Sequence, residues 1–137
     1  MLRSKSDEHV RKPLAPEKWS RKQILGHLID SAANNHQRFV RTLIETPLAF
    51  PPYEQNLWVS LQGYQEHDWQ LMVDLWSAYN RHLAHVIGRI PESQMTRECI
   101  IGNKPVVTLG WLIEDYVRHL KHHLRQIVDE PGLDILT

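Results

Sequence analysis

The chain has 137 residues, 42% of them hydrophobic, and a formal net charge of zero, which suits one domain with a single core. No apolar run reaches the roughly 20 residues that cross a bilayer, and the start lacks the apolar stretch of a secretory signal. Zero net charge argues against a nucleic-acid binder, which usually has a strong basic face. The single cysteine, Cys99, excludes an intrachain disulfide framework and a multi-cysteine zinc site. We therefore expect a cytoplasmic protein that binds neither membrane nor nucleic acid.

A short N-terminal arm precedes the first predicted long helix. Residues 1–18 are polar and contain two prolines, which remove backbone donors, so we expect no more than a short helical turn there. The first long helix is predicted from Ser20 to Glu45, with Gln23 completing a capping box at its start. Pro47 follows and ends it. Its apolar residues recur at helical spacing and define one face towards a core.

Two further long helices and a small hairpin complete the predicted elements. Residues 54–61 suit one or two helical turns, and a second long helix starts at the N-cap Asp68 and stops before Pro91. β-Branched residues flank a two-residue turn at 102–103, which predicts a β-hairpin. The third long helix is predicted over residues 108–130. The whole chain is thus predicted to be one all-α helix bundle, whose fourth position is filled by residues 53–61 or by a second subunit.

Two histidines four residues apart lie on the inner side of the third long helix. His119 and His123 fall within its apolar arc, whereas His122 points more than a quarter turn away. Side chains four apart are neighbours on a helix surface, so both rings can reach one metal ion. An isolated pair of this kind is more often two core-edge histidines satisfied by hydrogen bonds. The metal interpretation gains weight where a third ligand is available.

The first long helix offers a third imidazole, His27, just beside its apolar face. Ser31, Asn34, Asn35 and Arg38 lie on the same side and form a polar stripe. Such a stripe is either a solvated edge or, inside the seam of the bundle, the lining of a site. Three neutral imidazoles from two facing helices would leave the fourth position of a tetrahedral ion open, as catalytic zinc sites do.

Three segments of the sequence carry a family resemblance: KWSRKQILGHLIDSAANNHQRF, PPYEQNLW and TLGWLIEDYVRHLKHHLRQI. Together they resemble the DinB/YfiT-like superfamily of metal-dependent hydrolases, and most closely its branch of bacillithiol transferases, over residues 19–127. The resemblance implies a four-helix bundle that forms homodimers, with zinc or nickel held by His27, His119 and His123. It also implies that the open metal position binds a low-molecular-weight thiol as thiolate, for transfer to an electrophile.

The sequence departs from this family at its N-terminus. Family members usually carry a long helix before the Trp-Ser motif, whereas only 18 residues precede Trp19 here. We therefore expect a bundle of three long helices with a shortened first helix. The three predicted metal ligands lie after this point in the chain and are unaffected.

Four residues are candidates for substrate binding beside the three metal ligands. Asn34 and Arg38 belong to the polar stripe and can orient a polar substrate. Tyr53 and Trp58 can form an aromatic wall or lid, or alternatively only pack their loop onto the bundle. Asp115 lies one turn before the histidine pair, where it either accepts a hydrogen bond from a metal-bound imidazole or forms a surface ion pair.

Two classes of function follow from these residues. The first is a metal-dependent hydrolase or thiol S-transferase that acts on a small molecule. The alternative is a non-catalytic, dimeric binding module whose metal site is structural or vestigial. No general base stands out in the predicted seam, because the helical wheel places Asp30, the acidic residue near His27, on the outer side of its helix. The absence of a general base favours the non-catalytic module. Metal removal distinguishes the module from the enzyme, because a protein with a structural metal site unfolds when its metal is removed.

Overall fold

The computed structural model describes residues 1–129 of the chain. Its elements, in chain order, are α1 (Asp7–Arg11), α2 (Arg21–Ile44), β1 (Leu48–Phe50), α3 (Gln55–Leu61), α4 (Trp69–Gly88), β2 (Glu98–Ile101), β3 (Val107–Thr108) and α5 (Leu109–Val128). Short 3-10 turns at Tyr64–Glu66 and Glu92–Gln94 flank α4. The predicted helix bundle, with three long helices and a shortened first one, is confirmed. Within the described residues, no helix combines the length and the apolar character that a membrane span requires.

Local chemistry sets the ends of the long helices. The predicted capping box is confirmed: Ser20 Oγ accepts from the backbone N–H of Gln23 at 3.1 Å, and the Gln23 side chain accepts from the backbone N–H of Ser20 at 2.9 Å. Asp68 and Thr108 cap α4 and α5 by accepting from backbone amides three residues further on. The predicted end of the last helix at residue 130 lies outside the described residues.

The predicted hairpin is present, but its connection is longer than a two-residue turn. β2 pairs antiparallel with β3, and residues 102–106 join them. The backbone N–H of Gly102 donates to the carbonyl of Phe50 at 2.9 Å, so it continues the parallel pairing of β2 with β1. Pro105 has no N–H to give to a ladder, and antiparallel pairing therefore resumes only at Val107. The sequence did not indicate β1, because its pairing joins segments far apart in the chain.

Helix α2 lies at the centre of the bundle. It packs against both α4 and α5, and α1 and α3 also contact it. One apolar cluster includes its Leu25 and Leu28, and a second includes Phe39 together with Tyr116 of α5. The buried polar side chains of α2 are Lys22, His27, Asp30, Ser31, Asn34, Asn35, Arg38 and Thr42. The polar stripe therefore runs through the interior and is not a solvated edge.

Gly26 allows the ring of Tyr64 to lie directly on α2. A Cβ atom at Gly26 would lie 2.1 Å from Cδ2 and 2.4 Å from Cγ of Tyr64, closer than carbon atoms approach. The ring has little room to move, because the Tyr64 hydroxyl is buried and donates to Oδ1 of Asp30 at 2.6 Å. This contact explains a glycine inside a helix, where it costs about 1 kcal/mol relative to alanine.

An ion pair joins the start of α2 to the residue that follows α5. The guanidinium of Arg21 donates to both carboxylate oxygens of Asp129, through Nε at 3.1 Å and through Nη2. Lys5 and His9 approach the same carboxylate at 3.3 and 3.2 Å and so attach the N-terminal arm. The hydrogen bonds from Arg21 are the main reason that the pKa of Asp129 is lowered to about 2. The two helices that carry the predicted metal ligands are thus fastened together at one end.

We expect Gly26→Ala to lower the free energy of unfolding by about 1–3 kcal/mol, the usual cost of overpacking a core. The new methyl group must displace the Tyr64 ring, which outweighs the better helix propensity of alanine. The matched control is Gly88→Ala at the end of α4, where a Cβ would meet nothing within 4 Å. Urea unfolding of the three proteins measures the effect. Equal stability of the two variants would contradict the steric account.

Asp129→Asn should lower the free energy of unfolding at pH 7, and by less at pH 3. The folded-state pKa of about 2 lies below the ordinary value of 3.8, so this carboxylate stabilises the fold fully above about pH 4. The contribution is lost as the pH falls through 2. Asp74→Asn is the control, since Asp74 pairs with Arg3 where both side chains are 55% exposed and such pairs contribute little. Urea unfolding at both pH values tests this, and an equal loss at both would refute it.

Candidate metal centre

Three imidazoles meet between α2 and α5. Ligand nitrogens of His27, His119 and His123 all lie within 4.8 Å of one another, and Nε2 of His27 lies 3.0 Å from Nε2 of His119. Nitrogen ligands around a tetrahedral zinc ion are separated by about 3.3 Å, given zinc–nitrogen distances of about 2.05 Å. Small side-chain rotations would therefore place all three around one ion. The three histidines could hold a divalent metal.

Burial keeps these imidazoles uncharged. His27 is 1% exposed, and its burial, together with the neighbouring His119 and His123, lowers its pKa to about 3. Burial likewise lowers the pKa of His119 to about 4 and also lowers that of His123. Neutral imidazole is the form that binds metal ions. The trio is therefore in its metal-binding form at neutral pH.

The two nitrogens of each ring are not equivalent in this site. Nδ1 of His123 lies 2.7 Å from Oε1 of Gln126, an acceptor that holds the proton on Nδ1 and leaves Nε2 as a ligand. Nδ1 of His27 is buried and has no hydrogen-bond partner among residues 1–129. The indole ring of Trp19 lies 5.0 Å from the His27 ring and covers it. This donor set, three neutral nitrogens directed at one point, fits zinc or nickel.

The acidic residues nearest to the trio in sequence make other contacts. Asp115 accepts a hydrogen bond from Arg118 at 3.1 Å, which is the surface ion pair and not a contact with an imidazole. Asp30 does not lie on a solvated outer side of its helix as predicted: it is 2% exposed and accepts from Tyr64 at 2.6 Å and Gln62 at 2.8 Å. The helical wheel was wrong here because the chain after α3 folds over that side of α2. Burial raises the pKa of Asp30.

A cavity of about 520 Å³ lies beside the trio. His27 and His119 line it, whereas His123 lies outside its lining. Other lining side chains include Ser31, Asn35, Arg38, Tyr53, Asp115 and Tyr116. The volume falls within the usual range of small-molecule sites, about 300–1,000 Å³. The cavity therefore gives a small molecule access to two of the three histidines.

The four predicted substrate-binding residues occupy different places. Arg38 and Tyr53 line the cavity. Asn34 does not: its side-chain amide is buried and donates to the backbone carbonyl of Asp30 at 2.9 Å. Trp58 lies outside the lining as well, 38% exposed and with its ring 5.3 Å from that of Tyr53. Of the two aromatic residues, Tyr53 faces the cavity and Trp58 packs against it.

Two aromatic residues of α5 line the cavity although the sequence gave them no substrate role. Trp111 lies eight residues before His119 and so on the same stripe of α5, a spacing that could have indicated it. Tyr116 belongs to the apolar stripe and was assigned to the core. It is buried there, and its hydroxyl donates to Oδ1 of Asn80. No sequence signal marks a core tyrosine whose edge also faces a cavity.

The sequence is similar to that of known proteins. A family model described as the DinB superfamily matches residues 1–127. "Putative metal-dependent hydrolase YfiT" of Bacillus subtilis is 25% identical over 125 residues, which cover 90% of this chain and 70% of that protein. "Putative metal-dependent hydrolase OB0782" of Oceanobacillus iheyensis is 25% identical over 109 residues, covering 80% of this chain and 63% of that protein.

A solved structure shares the fold. The structure of YfiT from Bacillus subtilis, described as having an unusual four-helix bundle topology, superposes with a TM-score of 0.86. The match covers 93% of this chain and 74% of that chain, at 24% sequence identity. The bundle topology is therefore the same in both proteins.

Proposed function

The chain belongs to the DinB superfamily, and we propose that it is a cytoplasmic, divalent-metal-dependent enzyme acting on a small molecule, as a hydrolase or a thiol S-transferase. The observation that carries this proposal is the convergence of three neutral imidazoles beside a cavity, those of the buried His27 and of the half-buried His119 and His123. Relatives named as metal-dependent hydrolases support it.

In this proposal His27, His119 and His123 hold one zinc or nickel ion. Three protein ligands leave one tetrahedral position open, which is the form of catalytic zinc sites, whereas structural sites are closed by four ligands. A divalent ion bound there supplies a Lewis acid that lowers the pKa of water to near 7 or keeps a thiol deprotonated. Hydrolysis and thiol transfer therefore need the same three ligands.

The residues of the cavity bind and orient the substrate. Burial raises the pKa of Tyr53 above its ordinary value, so its hydroxyl stays protonated at neutral pH and donates a hydrogen bond. Trp58 packs edge-on against the Tyr53 ring and holds it towards the cavity. Asn35 is fixed by a hydrogen bond from its amide to the carbonyl of Ser31 at 2.9 Å, which leaves its carbonyl oxygen as an acceptor.

We further propose that the protein acts as a homodimer. The apolar side chains of Leu71 and Leu75 on α4 are 56% and 46% exposed and lie about one turn apart on the same helix face. An exposed pair of this kind suits a contact with a second copy.

Elemental analysis should find about one zinc or nickel ion per chain in protein never exposed to a nickel column. His119→Ala and His123→Ala should remain folded and lose the metal, because two imidazoles hold an ion far more weakly than three. His122→Ala is the matched control: the residue lies between them on α5, is exposed, and is not part of the trio. It should keep the wild-type metal content.

Two outcomes would count against the enzyme. Folded wild-type protein that takes up no metal even from added zinc would exclude the proposed centre. Protein that unfolds when a chelator removes the metal would favour the alternative, a non-catalytic dimeric module with a structural ion. A folded metal-free protein that regains its ion on titration is the expected result.

Zinc-loaded protein should catalyse one of two reactions. The first is the hydrolysis of an ester or an amide, and the second is the transfer of a small thiol to an electrophile. For whichever reaction is found, Tyr53→Phe should lower kcat/KM by about tenfold, the usual effect of losing one hydrogen bond to a substrate. Metal content should not change. Tyr79→Phe is a suitable control, since Tyr79 contacts His36 at 2.7 Å on the other side of α2. Equal rates for the wild type and Tyr53→Phe would remove Tyr53 from the site.

A further inference from the structure

Arg38 is a buried cation without an ionic partner in the described part of the chain. The residue is 9% exposed, and its Nε is buried with no hydrogen-bond partner. Lys22, which is 1% exposed, is paired instead with the carboxylate of Asp7 at 2.7 Å. Burying an unpaired charge is costly. Fold stability therefore does not account for an arginine at this position.

Aromatic rings support Arg38 but do not satisfy its donors. Its guanidinium carbon lies 5.3 Å from the ring centroid of Phe50 and 5.9 Å from that of Tyr53, distances at which a cation is attracted to a ring. The N–H groups point along the guanidinium plane and form a flat fork that matches the two oxygens of a carboxylate. The side chain lines the same cavity as His27, so an acceptor in that cavity can reach it.

The charges around the cavity favour a ligand with one negative charge. The lining contains two cations, Arg38 and Lys104, and two carboxylates, Glu54 and Asp115. Both carboxylates would repel a dianion or a polyphosphate more strongly than a monoanion. A single carboxylate needs one fork-shaped donor, which Arg38 supplies.

Helix geometry fixes the distance between this cation and the proposed metal centre. Arg38 lies eleven residues after His27 on α2, very close to three full turns, so both project from the same side of the helix. Their backbones are about 16 Å apart along the axis. Both side chains lean towards the N-terminus of the helix, and the longer arginine side chain reaches further in that direction. A ligand that reaches both must be an elongated molecule.

We propose that Arg38 binds a carboxylate of the substrate, and that the protein acts on elongated monocarboxylates whose acid group lies several bonds from the reacting atom. This inference rests on the proposed function, because it gives the substrate class of the same cavity. Arg38 is thus a specificity-determining residue. Its charge stays unpaired in the free protein and is paired when the substrate binds.

Isothermal titration of the zinc-loaded protein with octanoate and with octanol tests the carboxylate preference. Wild-type protein should bind octanoate at least about tenfold more tightly than octanol, as expected for a charge-assisted pair of hydrogen bonds. Arg38→Met should bind the two ligands equally. The matched control is Arg41→Met on the same helix, where Arg41 also lies over the Phe50 ring, at 5.6 Å, but outside the cavity lining. It should keep the wild-type preference.

The thermal midpoint of Arg38→Met without ligand is an independent readout. It should equal or exceed that of the wild type, because the substitution removes an unpaired buried charge. A merely structural arginine would give a lower midpoint. Wild-type protein that binds both ligands equally, or an Arg38→Met variant that keeps the preference, would overturn the inference.

A second titration separates this inference from the proposed metal centre. Cobalt-loaded protein is titrated with ω-mercaptocarboxylates of increasing chain length, each compared with the ω-mercaptoalcohol of the same length. A thiolate–cobalt absorption band reports contact with the ion, and one chain length should show the largest carboxylate preference. If no thiol produces the band, the open metal position is absent and the proposed function fails. The octanoate titration still decides the role of Arg38 in that case.

Discussion

Helix α2 is enclosed by other parts of the protein along most of its length, so its polar side chains must be satisfied without bulk water. Asn34, Asn35 and Thr42 are satisfied locally, because each donates to the carbonyl four residues earlier, at 2.9, 2.9 and 2.6 Å. Oδ1 of Asp30 is satisfied from outside the helix, by the hydroxyl of Tyr64 at 2.6 Å, whereas Oδ2 has no hydrogen-bond partner among residues 1–129. The enclosure of α2 thus depends on the segment after α3, which also covers the glycine of this helix.

Among the described residues, three side chains of α2 keep a buried polar atom without a hydrogen-bond partner: His27, Asp30 and Arg38. His27 and Arg38 are the two that line the cavity. Three neutral imidazoles that converge on one point direct lone pairs at each other, and one contact of 3.0 Å between His27 and His119 satisfies only part of them. A single cation would engage all three lone pairs at once. The aromatic rings around Arg38 attract its charge but accept none of its N–H groups in the plane. Both residues gain more from a ligand than from the protein, which is typical of functional sites that lower stability.

Features that depend on local chemistry could be predicted from the sequence. Ser20 and Gln23 form the capping box because both partners lie within one turn. The spacing of His119 and His123 places them on one helix face whatever the rest of the fold does. The third imidazole, His27, could be added because a polar stripe beside an apolar one indicates a helix packed on several sides.

Features that depend on contacts between distant segments could not be predicted. The burial of Asp30 requires the turn containing Tyr64 to fold over α2, and no periodicity in α2 reveals that. The length of the hairpin connection likewise depends on the parallel pairing of β1 with β2, which joins two segments far apart in the chain. Asn34 and Asn35 differ by 100° around the helix axis, and a wheel cannot decide which of two adjacent polar residues faces a cavity that lies between two helices and two loop segments.

The position of Arg38 connects the metal centre to substrate choice through the rigidity of one helix. A straight α-helix returns to the same side after eleven residues, so His27 and Arg38 share the cavity without any contribution from a loop. The ion pair of Arg21 with Asp129 fastens the ligand-bearing ends of α2 and α5 to each other. The spacing between the backbones of His27 and Arg38 is therefore set by the hydrogen bonds of one helix. In this proposal, selection by ligand length follows from the spacing of His27 and Arg38 along α2, and selection by ligand charge follows from the buried guanidinium of Arg38.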